Sequence, residues 1–213
     1  ITSDANEELL AAARRRIRDY MIAARDLVEF EAMQRNLKSL AGDATLPGAI
    51  LVEAETFARG NLKKEFAGYG DGIGVIYNSG ELPNFAEYEV ALPHSETYQF
   101  EVRYAAADSR PVRLFINGQL VKTDVASKVT GTWFPDTQTW SPEGIFALVA
   151  GKNTIRLERS EPFPHFDKLA LVPRKLQGRL KGSALCTAEQ LAAERNLNVD
   201  IVRQWSGYLE QTK

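Results

Sequence analysis

Ready-made chemistry is scarce in this sequence. It has one cysteine, Cys186, which excludes an intrachain disulfide framework. Its 2 histidines are His94 and His165, so any Cys–His nucleophile pair would have to draw on these three side chains. There is no basic surplus. Lys and Arg number 26 against 28 Asp and Glu, a net charge of −2, which argues against a general nucleic-acid binder. No apolar run approaches the roughly 20 residues of a membrane-spanning helix. G-x-S-x-G and H-E-x-x-H are both missing. The glycines between Gly68 and Gly74 do not fall into G-x-G-x-x-G, and no Lys-Ser/Thr follows them, so a phosphate cradle is excluded there too. Internal repeats and low-complexity tracts are also lacking.

What remains is an ordinary globular composition, 44% hydrophobic and 25% charged. A chain of 213 residues buries roughly 70% of its unfolded surface and can hold a core without metals or disulfides. The chain starts at Ile1 with no signal peptide in view, which raises the expectation of a segment from a larger protein.

Hydrophobic periodicity divides the chain into three. In residues 1–46, Leu10, Ala13, Ile17, Met21, Ala24 and Val28 recur at three- and four-residue steps, the helical spacing. One long helix, or two joined near Arg25, would satisfy it, with a stop at Ala41-Gly42-Asp43. In residues 49–173 the period drops to two. Tyr98, Phe100, Val102 and Tyr104 alternate with Gln99, Glu101 and Arg103, as in half-buried antiparallel strands. Asn117-Gly118 between two such runs is a strong hairpin signal. Eight or nine short strands without intervening helices predict a mainly β fold, a sandwich or barrel. In residues 184–213 helix returns, with Thr187 and Asn198 as N-caps. Both helical flanks carry an apolar stripe, so they are expected to pack together beside the sandwich.

Few residues stand out for function. Arg14, Arg15, Arg16 and Arg18 form the one basic cluster. Balanced by Asp4, Glu7, Glu8 and Asp19, they read as a solvated helix face. Cys186, after Ala184-Leu185, reads as a small buried apolar residue, and His94 after Pro93 as a turn residue. Glu53 and Glu55 are more informative. Two apart on a strand they would share a face, and two like charges side by side favour a cation between them. Calcium, which takes oxygen ligands from distant segments, is the natural candidate. The bland reading is a plain solvated strand face.

Along the middle region a resemblance emerges. Val52-Glu-Ala-Glu55 resembles the opening of carbohydrate-binding module families six and thirty-five. Ile73–Gly80 followed by Phe85–Val90, then Tyr98–Ala105, Leu114–Gly118, Thr130–Trp133 with Trp140, Leu148–Leu157 and Phe166–Leu169 resemble their later segments in the same order. The resemblance implies an antiparallel jelly-roll β-sandwich of the galactose-binding-like type. It implies a structural Ca2+ held by Glu53, Glu55 and Asp167, aided by carbonyls of the Gly-rich loop. It implies a glycan site walled by Tyr77 and Trp133, with His165 in the place of a usual polar residue, often Asn. This sequence departs from the pattern there, in Pro162–His165, and in the insertion Phe134–Gln138. Trp140 is expected in the core, and Asn117 is expected to serve the turn alone.

Residues Arg14–Leu27 and Glu194–Leu209 are faintly similar to large exported planctomycete proteins that join a cytochrome c region to other domains, although C-x-x-C-H is absent here. The expected function is non-catalytic binding of a polysaccharide or oligosaccharide, within an exported multidomain protein. A structural or protein-interaction sandwich with a degenerate sugar site is the alternative, and a glycoside hydrolase is a minor one. Partners would be glycans and other domains of a parent protein, with no nucleic acid and no membrane span.

Overall fold

The computed structural model describes residues 3–42, 46–69, 72–174 and 184–212. Asp43, and Gly70 and Asp71 of the Gly-rich stretch, lie outside the described residues, as does the proposed helix stop in part. The chain opens with one helix, α1 (Ser3–Arg35), uninterrupted at Arg25. Among the described residues eleven strands follow: β1 (Ile50–Glu53), β2 (Arg59–Gly60), β3 (Lys63–Glu65), β4 (Val75–Tyr77), β5 (Asn84–Leu92), β6 (Glu96–Ala105), β7 (Val112–Ile116), β8 (Gln119–Val125), β9 (Thr139–Leu148), β10 (Gly151–Arg159) and β11 (His165–Pro173). Two helices end the chain, α2 (Ala188–Glu194) and α3 (Val199–Gln211).

The strands form two antiparallel sheets. One runs β3-β4-β11-β6-β9 with β1 also on β11, and the other runs β2-β5-β10-β7-β8. The alternation seen in sequence faces Ala86, Tyr88 and Val90 of one sheet toward Phe100, Val102 and Tyr104 of the other, and all six are buried in one core. Fully burying each large side chain of this kind contributes roughly 1.5–3 kcal/mol. Asn117 (φ 51°) and Gly118 (φ 79°) both take positive φ between β7 and β8, the type I′ geometry whose twist matches the strands.

The helices cover the free edge of β9. An unpaired edge strand exposes backbone groups that invite association. Here Gln34 of α1 donates from Nε2 to the Ile145 carbonyl (3.0 Å), and its Oε1 accepts from the Ile145 N–H (3.3 Å). The Ala147 N–H donates to the Ala184 carbonyl (2.9 Å). Beneath these bonds Tyr20, Leu27 and Phe30 of α1 pack with Leu191, Val202, Cys186 and Ile145. The flanks therefore pack together beside the sandwich, but only the later part of the stripe read in α1 takes part: Ala24 and Val28 are buried, whereas Leu10, Ile17 and Met21 are exposed. Thr187 and Asn198 cap α2 and α3 as read from sequence, accepting from Gln190 N–H, and from Asp200 and Ile201 N–H. Burial pushes the Cys186 thiol up to about 12, the behaviour of an inert core cysteine.

The stretch after α1 is tied down by a buried carboxylate. Glu101 of β6 is fully buried and accepts from Ser39 Oγ (2.6 Å), the N–H groups of Leu40 (2.7 Å) and Ala41 (3.3 Å), and Gln99 Nε2 (2.7 Å). Trp140, expected in the core, is half-buried against the smaller apolar cluster of Leu40, Ala41 and Val172 on the outer side of the sheet. The covering stretch offers the ring a second apolar surface there. Arg14, Arg15, Arg16 and Arg18 are exposed on the part of α1 that precedes Tyr20.

Candidate functional site

Two clusters assemble the residues singled out in the sequence. The first lies where β1 ends beside β11. The strand stops at Glu53 and a 3-10 turn takes over at Ala54–Thr56, so Glu53 and Glu55 do not share a strand face. Two hydrogen bonds fix the change. Thr56 Oγ1 donates to the Glu53 carbonyl (2.7 Å) and buried Tyr88 donates to the Ala54 carbonyl (2.8 Å). Glu53 consequently points outward and holds Lys168, its cross-strand partner, through both oxygens (2.6 and 2.7 Å).

Glu55 turns inward. Its carboxylate occupies the space that any side chain at Gly74 would need, and its Oε2 is buried with no hydrogen-bond partner. Asp167, at the bulge in β11, is 1% exposed, and its Oδ2 is also buried without a hydrogen bond. Arg103 Nη1 stands 3.2 Å from that oxygen, an ion pair whose alignment falls short of a hydrogen bond. Burial pushes the Asp167 carboxyl above the usual range. Lys168 and Arg103 oppose the shift, and Glu53 and Glu55 add to it. Burial, with Glu55 nearby, also raises the Tyr88 phenol.

Buried carboxylate oxygens without partners are costly. Glu55 and Asp167 thus fit one hard cation that takes oxygen ligands. Glu53 fits only if it releases Lys168. Among the described residues, no three His, Cys, Asp or Glu side chains already stand together as a metal cluster. Backbone carbonyls would have to complete the shell, and part of the Gly-rich loop read as their source lies outside the described residues.

The second cluster sits where β4 ends and β11 begins. His165, the first residue of β11, is its hub. Its ring centroid lies 5.6 Å from Tyr77, 5.1 Å from Trp133 and 5.5 Å from Tyr69. His165 Nδ1 is 2.9 Å from the Trp133 carbonyl oxygen and also meets the Tyr69 hydroxyl. A carbonyl only accepts, so Nδ1 carries the proton and Nε2 is the ring's acceptor. Burial lowers the His165 pKa below its ordinary value. The bond to the Trp133 carbonyl works against this and Arg110 adds to it, so the surroundings favour the neutral ring. Tyr77, Trp133 and His165 do come together, then, from β4, the loop after β8, and β11.

Their faces are not equally open. Trp133 is half-buried against the sandwich core, and the Arg110 guanidinium carbon lies 3.9 Å over its ring. Arg110 is itself fixed by Asp108 (2.6 and 3.2 Å) and by the Phe163 carbonyl (3.0 Å). Phe134 is 57% exposed and lies 6.0 Å from Tyr69, ring centroid to ring centroid. Sequence reasoning missed Tyr69 and Arg110. Tyr69 sat inside a glycine-rich stretch and Arg110 in a turn, with no periodicity to mark either. His94 is exposed between β5 and β6, a turn residue as expected.

No family model matches the chain. It is similar to an exo-beta-D-glucosaminidase of Amycolatopsis orientalis, 31% identical over 124 residues; these are 56% of this chain and 12% of the enzyme, so the chain spans about an eighth of that relative. Among solved structures, its fold is similar to a family 35 carbohydrate-binding module from Clostridium thermocellum (28% identity, 58% of this chain and 97% of that one, TM-score 0.47). It is also similar to a family 35 module from Paenibacillus barcinonensis (22% identity, 58% and 98%, TM-score 0.49) and to a family 6 module of a laminarinase from Zobellia galactanivorans (19% identity, 59% and 99%, TM-score 0.48). The likeness of the helical flanks to planctomycete proteins finds no support in these matches.

Proposed function

We propose that this chain is a non-catalytic carbohydrate-binding unit of a larger exported protein, its sandwich stabilised by one calcium ion. The observation that carries the binding reading is the convergence of Tyr77, Trp133 and His165, residues 77, 133 and 165 along the chain, on one end of the sandwich. The relative that acts on glucosaminides supports it. Aromatic carbons stack on the C–H faces of a pyranose, and a neutral His165 offers Nε2 as acceptor for one hydroxyl. A shallow, half-open cluster of this kind suits modest affinity.

The calcium reading rests on the buried oxygens of Glu55 and Asp167 that lack a hydrogen bond, the latter with only the Arg103 ion pair (3.2 Å) beside it. In it those two carboxylates, joined by Glu53, tie the first strand to the last. Bound calcium supplies charge neutralisation at this joint and no reaction.

One observation favours a second reading, a structural or protein-interaction unit with a degenerate sugar site. Arg110 covers the Trp133 ring and leaves it a poor platform. A glycan array on the whole chain, run with calcium and with chelator, separates the two. Retention of an oligosaccharide that is abolished in Tyr77→Ala supports the binding reading. Absence of retention on every glycan overturns it.

A further inference from the structure

We infer that the sugar platform is not Trp133 but its neighbour Phe134, paired with Tyr69, and that it takes a gluco-configured pyranose. The inference rests on the carbohydrate-binding reading and names the surface that does the stacking. Trp133 has its ring against the core and under Arg110, so its side chain serves as support. Phe134, the first residue of the insertion, is 57% exposed.

A single exposed apolar residue is normal and proves nothing. Phe134 differs because its loop is built to hold it out. Its N–H donates to Thr132 Oγ1 (3.1 Å), and its carbonyl accepts from Thr137 N–H (3.2 Å) and Thr137 Oγ1 (3.2 Å). The Thr132 and Thr137 hydroxyls bond each other (3.0 Å), Thr137 Oγ1 also takes the Thr132 N–H (3.0 Å), and Pro135 starts the 3-10 turn. Gln138 closes the loop with both amide atoms buried and unpartnered, so this conformation is kept at a cost.

The rigid ring lies 6.0 Å from Tyr69 at an interplanar angle of 37°, and Tyr69 is held by His165. Two rings so placed make a shelf that continues from the His165 cluster to the surface. Phe134 has no polar edge, so what it recognises is a C–H face. A gluco-configured pyranose, with its substituents equatorial, presents axial C–H bonds on both faces, and the similarity to an exo-beta-D-glucosaminidase selects it among the sugars that offer such a face.

The test uses the whole chain with cellohexaose, a glucosamine hexamer and a galactan as probes, by titration calorimetry. Phe134→Ala is expected to weaken binding of a gluco-configured hexamer by about tenfold or more with an unchanged melting temperature, because the ring is largely exposed. Phe134→Trp is expected to retain binding. Wild-type binding left intact by Phe134→Ala overturns the platform assignment alone. Binding of the galactan in preference to both hexamers overturns the ligand class. A wild-type chain that binds none of these probes, nor any glycan on the array, overturns the carbohydrate reading itself, a result distinguishable from the other two.

Discussion

Two buried acidic sites in this molecule have opposite bookkeeping. Glu101, at the joint between the α1 extension and the sandwich, is fully buried and fully served, by a hydroxyl, two backbone N–H groups and an amide. Glu55 and Asp167, at the joint between the first and last strands, each keep a buried oxygen with no hydrogen-bond partner. Both joints bring distant parts of the chain together around negative charge. The difference teaches that burial of a carboxylate is not by itself a sign of a ligand, because the groups around it decide how its charge is held. The carboxylate of the Glu101 joint is served by the protein's own groups, and the Glu55–Asp167 joint keeps the two oxygens on which the proposed calcium site rests.

The comparison breaks most sharply at Glu101. Glu101→Ala should strand the Ala41 N–H and the Gln99 amide in a buried place and release the half-buried Leu40 N–H, at a cost of about 3 kcal/mol. Chemical denaturation of the variant measures it, and calcium should not restore the loss. Stability equal to wild type would show that the joint is not held by this carboxylate.

Next in size is the calcium response. Ligand at a hundredfold over its dissociation constant stabilises by about 2.7 kcal/mol. Calcium should raise the wild-type melting temperature and chelator should lower it, whereas Asp167→Ala should lower stability and abolish the response. A calcium shift that survives in Asp167→Ala would remove that carboxylate from the site.

A third buried acid sharpens the contrast in a smaller way. Asp26 of α1 is fully buried, its Oδ2 is 3.3 Å from Arg195 Nη2, and its Oδ1 has no hydrogen bond. Burial raises its pKa from 3.8 to about 6, with Glu29 and Glu194 adding to the rise and Arg195 and Arg25 opposing it. A raised folded-state pKa means the folded chain binds the proton more tightly than the unfolded chain. The proton's contribution is therefore complete below about pH 4 and is lost as pH climbs toward 6. Melting followed from pH 4 to 7 should show a decline of about 1–2 kcal/mol that Asp26→Asn flattens. An identical pH slope in the variant would assign it to other groups.

The resemblance placed Tyr77, Trp133 and His165 in one site, and the structure does gather them. The two-residue spacing placed Glu53 and Glu55 on one strand face, and the 3-10 turn at Ala54 parts them. The error has a plain cause. Alternation in Val52-Glu-Ala-Glu55 is a local pattern, and the bond that ends the strand there comes from Tyr88, on a strand 34 residues away from Ala54. Trp140, expected in the core, is half-buried on a smaller apolar cluster, because the stretch after α1 covers the outer side of the sheet and gives it an apolar seat there.

The sequence by itself determined what depends on neighbours along the chain. Strand alternation, the Asn117-Gly118 turn, the caps at Thr187 and Asn198 and the apolar stripes of the helices are each decided within a few residues. Tertiary structure alone decided which carboxylates are satisfied, which aromatic face is open, and which sheet edge the helices seal. Those outcomes depend on groups far apart in sequence, such as Gln34 against Ile145, 111 residues on, and Arg110 over Trp133. No window of sequence contains both partners, so their meeting is set by packing and not by pattern.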